Sequence, residues 1–152
     1  MKLLTALSLN YDSSPYFLRH YLRLKNQNCE DNRNIPIIIG HKFGYIFGEI
    51  NPTLRRNSIL VDIYFIYVMP SFRDEGKGRI LYSFFEAETV KRYYHIAKAF
   101  PQMIQPHLEA CIQMNIGIKH CIKKSTIFWN KNGFAGDTNS SQLTKFVYIK
   151  TK

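Results

Sequence analysis

The stretch PSFRDEGKGR, Pro70 to Arg79, sets two glycines among a cluster of charges, between an apolar run, SILVDIYFIYVM, and a helix-like run, ILYSFFEAETVKR. A strand that ends in a proline turn and feeds a glycine-opened helix presents bare backbone N–H groups at the positive end of the helix dipole. That is chemistry for holding a phosphate. Gly76 and Gly78 would let the backbone approach a pyrophosphate with no Cβ in the way. Lys77 and Arg79 add charge of the right sign, whereas Asp74 and Glu75 add the wrong one, so their side chains are expected to point outward. The competing structural reading is an ordinary glycine turn before a core helix.

Other reactive residue types make weaker constellations. Cys29, Cys111 and Cys121 are odd in number and widely spaced, with no CxxC, and read as reduced thiols. His95, His107 and His120 are too far apart for a zinc motif, and no HExxH occurs. A Cys/His nucleophile would have to join Cys111 or Cys121 to His107 or His120, and adjacent His120 and Cys121 side chains diverge on a helix or strand. KRYYHIAK, Lys91 to Lys98, interleaves base and aromatic as single-strand nucleic-acid binders do, and fits equally a helix end with half-buried tyrosines.

The elements that must position the loop follow from periodicity. KLLTALSLNY, Lys2 to Tyr11, reads as a first strand, and Pro15 opens a helix whose apolar face is Phe17, Leu18, Tyr21, Leu22 and Leu24. Ile35 to Ile50 reads as two strands with a tight turn near His41 and Lys42, the second ended by Asn51-Pro52. The run Ser58 to Met69 is β-branched and aromatic, which predicts a central buried strand, with Asp62 its only charge. After the loop, Ile80, Leu81, Phe84 and Phe85 are expected to bury one helical face, the helix ending near His95. His107 to Met114 reads as a strand, IKKSTIFWNKN as a helix closed by Gly133, and Thr144 to Lys150 as a last strand. The predicted order is β, α, β, β, β, α, β, α, β.

A chain of 152 residues, 45% hydrophobic and 14% aromatic, fits one domain spanning residues 1–152 with a single core. No segment reaches the roughly 18 consecutive apolar residues of a membrane span, and the N-terminal apolar run is too short for a signal peptide. The expectation is a soluble, cytoplasmic protein that does not enter a membrane. A formal charge of +10, from 21 Lys and Arg against 11 Asp and Glu, attracts polyanions: nucleic acid, an acidic protein surface or a polyphosphate cofactor. A solvated basic surface is the plainer reading of the same charge.

VMPSFRDEGKGRIL resembles the acetyl-CoA-binding signature of the GNAT superfamily of N-acetyltransferases: Arg or Gln, two residues, Gly, one residue, Gly or Ala. Here those positions are Arg73, Gly76 and Gly78, and Val68, Pro70, Ile80 and Leu81 also match the family's strand, turn and helix. FWNKNGF, Phe128 to Phe134, is similar to the FYxxxGF that closes the family's next helix, and the two motifs stand in the right order. The resemblance covers roughly residues 35 to 150. It implies an α/β (α+β) fold with a mixed, mostly antiparallel central sheet flanked by helices, and acetyl transfer from acetyl-CoA to a primary amine. It further implies that the backbone of Ile66, Tyr67 and Val68 pairs with the pantetheine arm as an added strand, and that the turn from Asp74 through Glu75, Gly76, Lys77 and Gly78 to Arg79 wraps the pyrophosphate.

Such a reaction needs a base, because an amine of pKa roughly 10.4 is mostly protonated at neutral pH. Asp62 is the first candidate, eleven positions before Arg73, the spacing at which some members carry a catalytic glutamate. Period-two alternation puts it on one face with Tyr64, Ile66 and Val68, and an apolar strand should raise its pKa. The equal alternative for Asp62 is an ion-pair partner for a nearby Arg or Lys, or a strand-end residue at the solvent edge. Glu109 on the next strand is the fallback base, and Glu49, at a strand end, a weaker one. Asn115 resembles the family asparagine that contacts the cofactor, but fourteen positions separate it from Trp129, which implies an insertion or another residue in the role. Trp129 itself stands where many members have a general-acid tyrosine. Indole donates a hydrogen bond but no proton near neutral pH, so Trp129 reads as a packing or pantetheine-contacting residue. Tyr64, Tyr67 and His120 are other candidates for the acid.

Two function classes follow. The first is an acetyl-CoA-dependent N-acetyltransferase whose acceptor amine is on a small molecule, a protein or an RNA. The second is a basic nucleic-acid-binding domain, or a GNAT-like protein that binds CoA without turnover. The last strand offers an edge through which two copies could pair as a homodimer. No metal is required.

Overall fold

Isoleucine-rich segments build the middle of a six-stranded sheet. The structure, a computed structural model, describes residues 2–4, 34–117, 123–136 and 142–150. Strand β1 (Lys2–Leu4) pairs with β2 (Ile35–His41), which turns at Lys42 and Phe43 into β3 (Gly44–Arg55) and then β4 (Ser58–Val68). Helix α1 (Lys77–Ala99) crosses to β5 (Ala110–Gly117), and α2 (Lys123–Lys131) leads to β6 (Gln142–Ile149). The strands lie in chain order, all neighbours antiparallel except β4 and β5. That parallel pair needs a long crossover, which α1 supplies. The result is the mixed, mostly antiparallel sheet that the motifs implied. The rest of the predicted first strand, the helix after Pro15, Cys29, His120 and Cys121 lie outside the described residues.

The core forms where one face of the sheet meets both helices. Ile37 and Ile39 of β2, Ile46 and Ile50 of β3, Ile59, Val61 and Ile63 of β4, and Ile112, Met114 and Ile116 of β5 alternate onto that face. Helix α1 answers with Leu81, Phe85, Thr89 and Tyr93, one residue per four. This corrects the expected face: Ile80 and Phe84 are 39% and 47% exposed. They stand about 100° back from Leu81 and Phe85 around the helix, while Tyr82, the same angle forward, is covered by Trp129 and Phe134. The position of α2 therefore chose which flank was buried.

Several boundaries also differ from those predicted. Strand β3 runs through Asn51 and Pro52 to Arg55, because its ladder with β4 is interrupted between Asn51 and Arg55 and the missing proline N–H falls in that gap. Helix α1 passes His95, burying Ile96, and stops before Pro101. Strand β5 begins at Ala110 rather than His107. Buried Asn57 donates to the carbonyls of Gln105 and Leu108 and accepts from the Gln105 N–H, holding that stretch as a loop.

Candidate functional site

Strands β4 and β5 pair from Ser58 and Cys111 to Ile63 and Ile116, where their ladder ends. Beyond that point β4 runs on to Val68, still paired to β3. On the β3 side Phe47 pairs with Phe65 but Gly48 with Ile63, so Tyr64 is an extra residue and β4 bulges there. A bulge bends and twists its strand, and the fork between β4 and β5 opens at that bend.

The bulge also resets the alternation. Asp62 and Tyr64 remain on the face away from α1, with Tyr64 stacked on Phe47 at 5.5 Å. Ile66 and Val68 pack against the core beside α1. The expectation that all four share a face is thus corrected, because one inserted residue shifts every later side chain to the other side.

Asp62 sits one residue before the fork, opposite Glu49 on β3 and Asn115 on β5. Burial holds its carboxyl above the usual carboxylate value; a hydrogen bond from Asn115 pulls it down and the Glu49 charge pushes it up. The Asn115 carbonyl accepts from Thr144 Oγ1 at 2.9 Å and Gln113 Nε2 at 3.3 Å, which leaves its amide nitrogen to face Asp62. Glu49 lies within β3 rather than at a strand end, 2% exposed, and accepts from Tyr64 OH at 3.0 Å and Asn34 Nδ2 at 3.3 Å. The structure thus brings Asp62, Glu49, Asn115 and Tyr64 together. Glu109 is exposed just before β5, at the far end of that strand from the fork.

The glycine loop begins where β4 ends. Met69 N–H donates to Phe43 O, a 3-10 turn covers Pro70–Phe72, and Asp74 and Gly76 take left-handed φ values of 62° and 73°. Arg73 Nε donates to Val68 O at 2.9 Å, with its guanidinium 6.0 Å from the Tyr67 ring centroid. Lys77 Nζ lies 5.3 Å over the Phe43 ring, and Asp74 and Glu75 are exposed. The first helical bond runs from Ile80 N–H to Gly76 O, so the N–H groups of Lys77, Gly78 and Arg79 have no partner within the helix. A Cβ on Gly76 would meet open space, whereas one on Gly78 would come within 3.0 Å of the Phe128 ring. Gly76 thus serves the backbone turn, and Gly78 lets α2 close on the start of α1.

Trp129 is 1% exposed, its ring edge-on to Tyr82, Phe128 and Phe134. It packs in the core. Sequence reasoning missed Phe128, whose contact with Gly78 joins the two motifs, and undervalued Glu49, whose place opposite Asp62 depends on strand register.

No protein-family model matches the sequence, and no curated protein matches it. Solved structures do. The chain is similar to a tyrosine-to-phenylalanine mutant of the AtaT toxin, bound to the C-terminus of the antitoxin AtaR and acetyl-CoA, at 15% identity and a TM-score of 0.53, covering 97% of this chain and 90% of that one. A tyrosine-to-phenylalanine mutant of KacT matches at 14% identity and a TM-score of 0.51, covering 95% of this chain and 94% of that one. Tetrahymena GCN5 matches at 15% and 0.50, covering 87% and 76%. This chain has the GNAT fold. Within that GNAT fold, the forked strands, the glycine loop and the Asp62 cluster meet at one end of the sheet. No helix among the described residues is long and apolar enough to cross a membrane.

Proposed function

We propose that the protein is an N-acetyltransferase that takes the acetyl group of acetyl-CoA to a primary amine. The fork carries this reading: β4 leaves its parallel partner after Ile63 and delivers its free-running end to a glycine-opened helix. An extended, amide-bearing chain ending in a pyrophosphate suits that arrangement, with the backbone of Ile66, Tyr67 and Val68 as edge and the N–H groups from Gly76 to Arg79 as anion site. The left-handed Gly76, with open space at its Cβ position, fits a cradle for phosphate oxygens. The acetyl-CoA held by the similar AtaT structure supports the same cofactor.

Acetyl-CoA, when bound, supplies a thioester for an unprotonated amine to attack. In this reading Asp62, one residue before the fork and with a raised pKa, takes the proton from the incoming ammonium, directly or through a water. Asn115 orients its carboxylate, and the Glu49 charge opposite makes it more basic. Trp129 leaves the helix without a proton donor at the usual tyrosine position; a thiolate, with thiol pKa near 8.5, can depart unassisted. The acceptor is an amine on a small molecule, a protein or an RNA.

Calorimetric titration with acetyl-CoA tests the cofactor. Saturable micromolar binding is expected for the wild type. Gly78→Val should weaken it at least about tenfold, because the added side chain meets Phe128 and displaces the helix start. No binding at millimolar ligand would remove the cofactor from the proposal.

A further inference from the structure

The run KRYYHIAK falls in the second half of α1, and the fold divides its two tyrosines. Tyr93 is buried, its OH donating to Asn57 O at 2.9 Å. Tyr94 is 46% exposed and shares a helix face with Lys91 and Lys98, three residues before it and four after. Core packing accounts for the first ring. The second makes an edge-on contact with Tyr93 and one bond, from its OH to Lys150 O at 3.3 Å. Tyr94 and Lys150 both line a hollow of about 280 Å³ at the end of the sheet opposite the fork, with Ile104, Gln105, Pro106 and Ile149. That volume is below the roughly 300–1,000 Å³ of whole-ligand sites, and it suits a single ring rather than a complete small molecule.

The rim of the hollow is of one sign. Arg55 and Arg56, in the turn before Asn57 of the lining, Lys91 and Lys98 on α1, and Lys150 are all exposed, and none has a carboxylate partner among the described residues. Of the carboxylates in these segments, Glu88 is taken by Arg92 at 3.1 Å, and Glu109 is left. Tyr148, 64% exposed near the end of the edge strand β6, offers a second ring. Cations in excess around exposed aromatic rings are the combination that holds a single strand, phosphates on the cations and bases on the rings.

We propose that this end of the molecule binds single-stranded RNA, one base stacking on Tyr94 over the hollow and the flanking phosphates meeting Lys98, Lys150 and Arg56. Lys150 O keeps a second lone pair and Gln105 lines the same hollow, partners for a ribose 2′-hydroxyl, the group that tells RNA from DNA. Tyr94 lies seventeen residues along α1 from Lys77, about 25 Å from the glycine-loop end. RNA held here leaves the fork open, and the assignment does not depend on the acetyl-CoA reading.

Fluorescence anisotropy of a labelled oligouridylate tests it. The wild type should bind at low salt, Tyr94→Ala should lose roughly 5- to 150-fold, the worth of one stacked base, and Tyr94→Phe, which keeps the ring, should bind as the wild type does. Lys98→Gln and Lys150→Gln should each flatten the fall of log affinity with log salt by about 0.7, a change that a merely structural role would not produce. Lys42→Gln, in the turn at the other end of the sheet, should leave that slope unchanged. No binding by the wild type, an unchanged affinity in Tyr94→Ala, an equal loss in Tyr94→Phe or an equal slope change in Lys42→Gln would overturn the proposal. So would equal binding of the deoxy form of the same oligonucleotide, which lacks the 2′-hydroxyl.

Discussion

Asp62 is held in its protonated form more firmly by the folded chain than by the unfolded one, since burial and Glu49 outweigh the bond from Asn115. A folded-state pKa raised in this way contributes stability in full below the ordinary value of 3.8, and that contribution is lost as pH rises through the folded value. At pH 7 the ionised Asp62 therefore weakens the fold. Asp62→Asn should melt at a higher temperature than the wild type at pH 7, the difference closing as pH falls below 3.8. Thermal melts at several pH values would check this. If Asp62 is the base, the same variant should lose roughly 10²- to 10⁴-fold in turnover and no longer show the rise in rate as Asp62 ionises; an unchanged pH profile would exclude that role.

At the scale of elements, the contact between α1 and α2 decides how the loop is presented. Trp129 fills the angle between Tyr82 and Phe134, and Phe128 beside it closes on Gly78. Trp129→Ala should destabilise the protein by about 3–5 kcal/mol, from lost burial and the cavity left behind, measured by urea unfolding. A loss under about 1 kcal/mol would mean that the ring is not the packing element it is taken to be. The sequence showed that α2 exists and closes just before Gly133, since a glycine after a periodic run is a local signal. It did not show which flank of α1 the helix would cover, and Ile80 and Phe84, expected in the core, are exposed.

For the whole molecule, the +10 charge is long-ranged and sets how polyanions approach. RNA held by that charge through 6–10 phosphate contacts should lose roughly 10³- to 10⁵-fold in affinity between 50 and 200 mM salt. Acetyl-CoA, held in the proposed reading partly by backbone N–H groups, should lose far less. Filter binding of a single-stranded RNA beside calorimetry of acetyl-CoA at both salts would separate the two. RNA affinity that ignores salt would point to stacking and hydrogen bonding rather than charge.

What the chain determined by itself is local: a glycine turn, a proline that ends a strand, the periods that mark helix from strand, and the motif pattern that placed the fold. The glycine turn at Gly76 was legible for that reason, since a left-handed φ is a property of one residue. The tertiary structure alone decided the bulge at Tyr64, the switch of Ile66 and Val68 to the α1 face, and the meeting of Asp62 with Glu49 and Asn115. Each depends on register between segments far apart in the chain, where one residue more or less reverses which side chains meet.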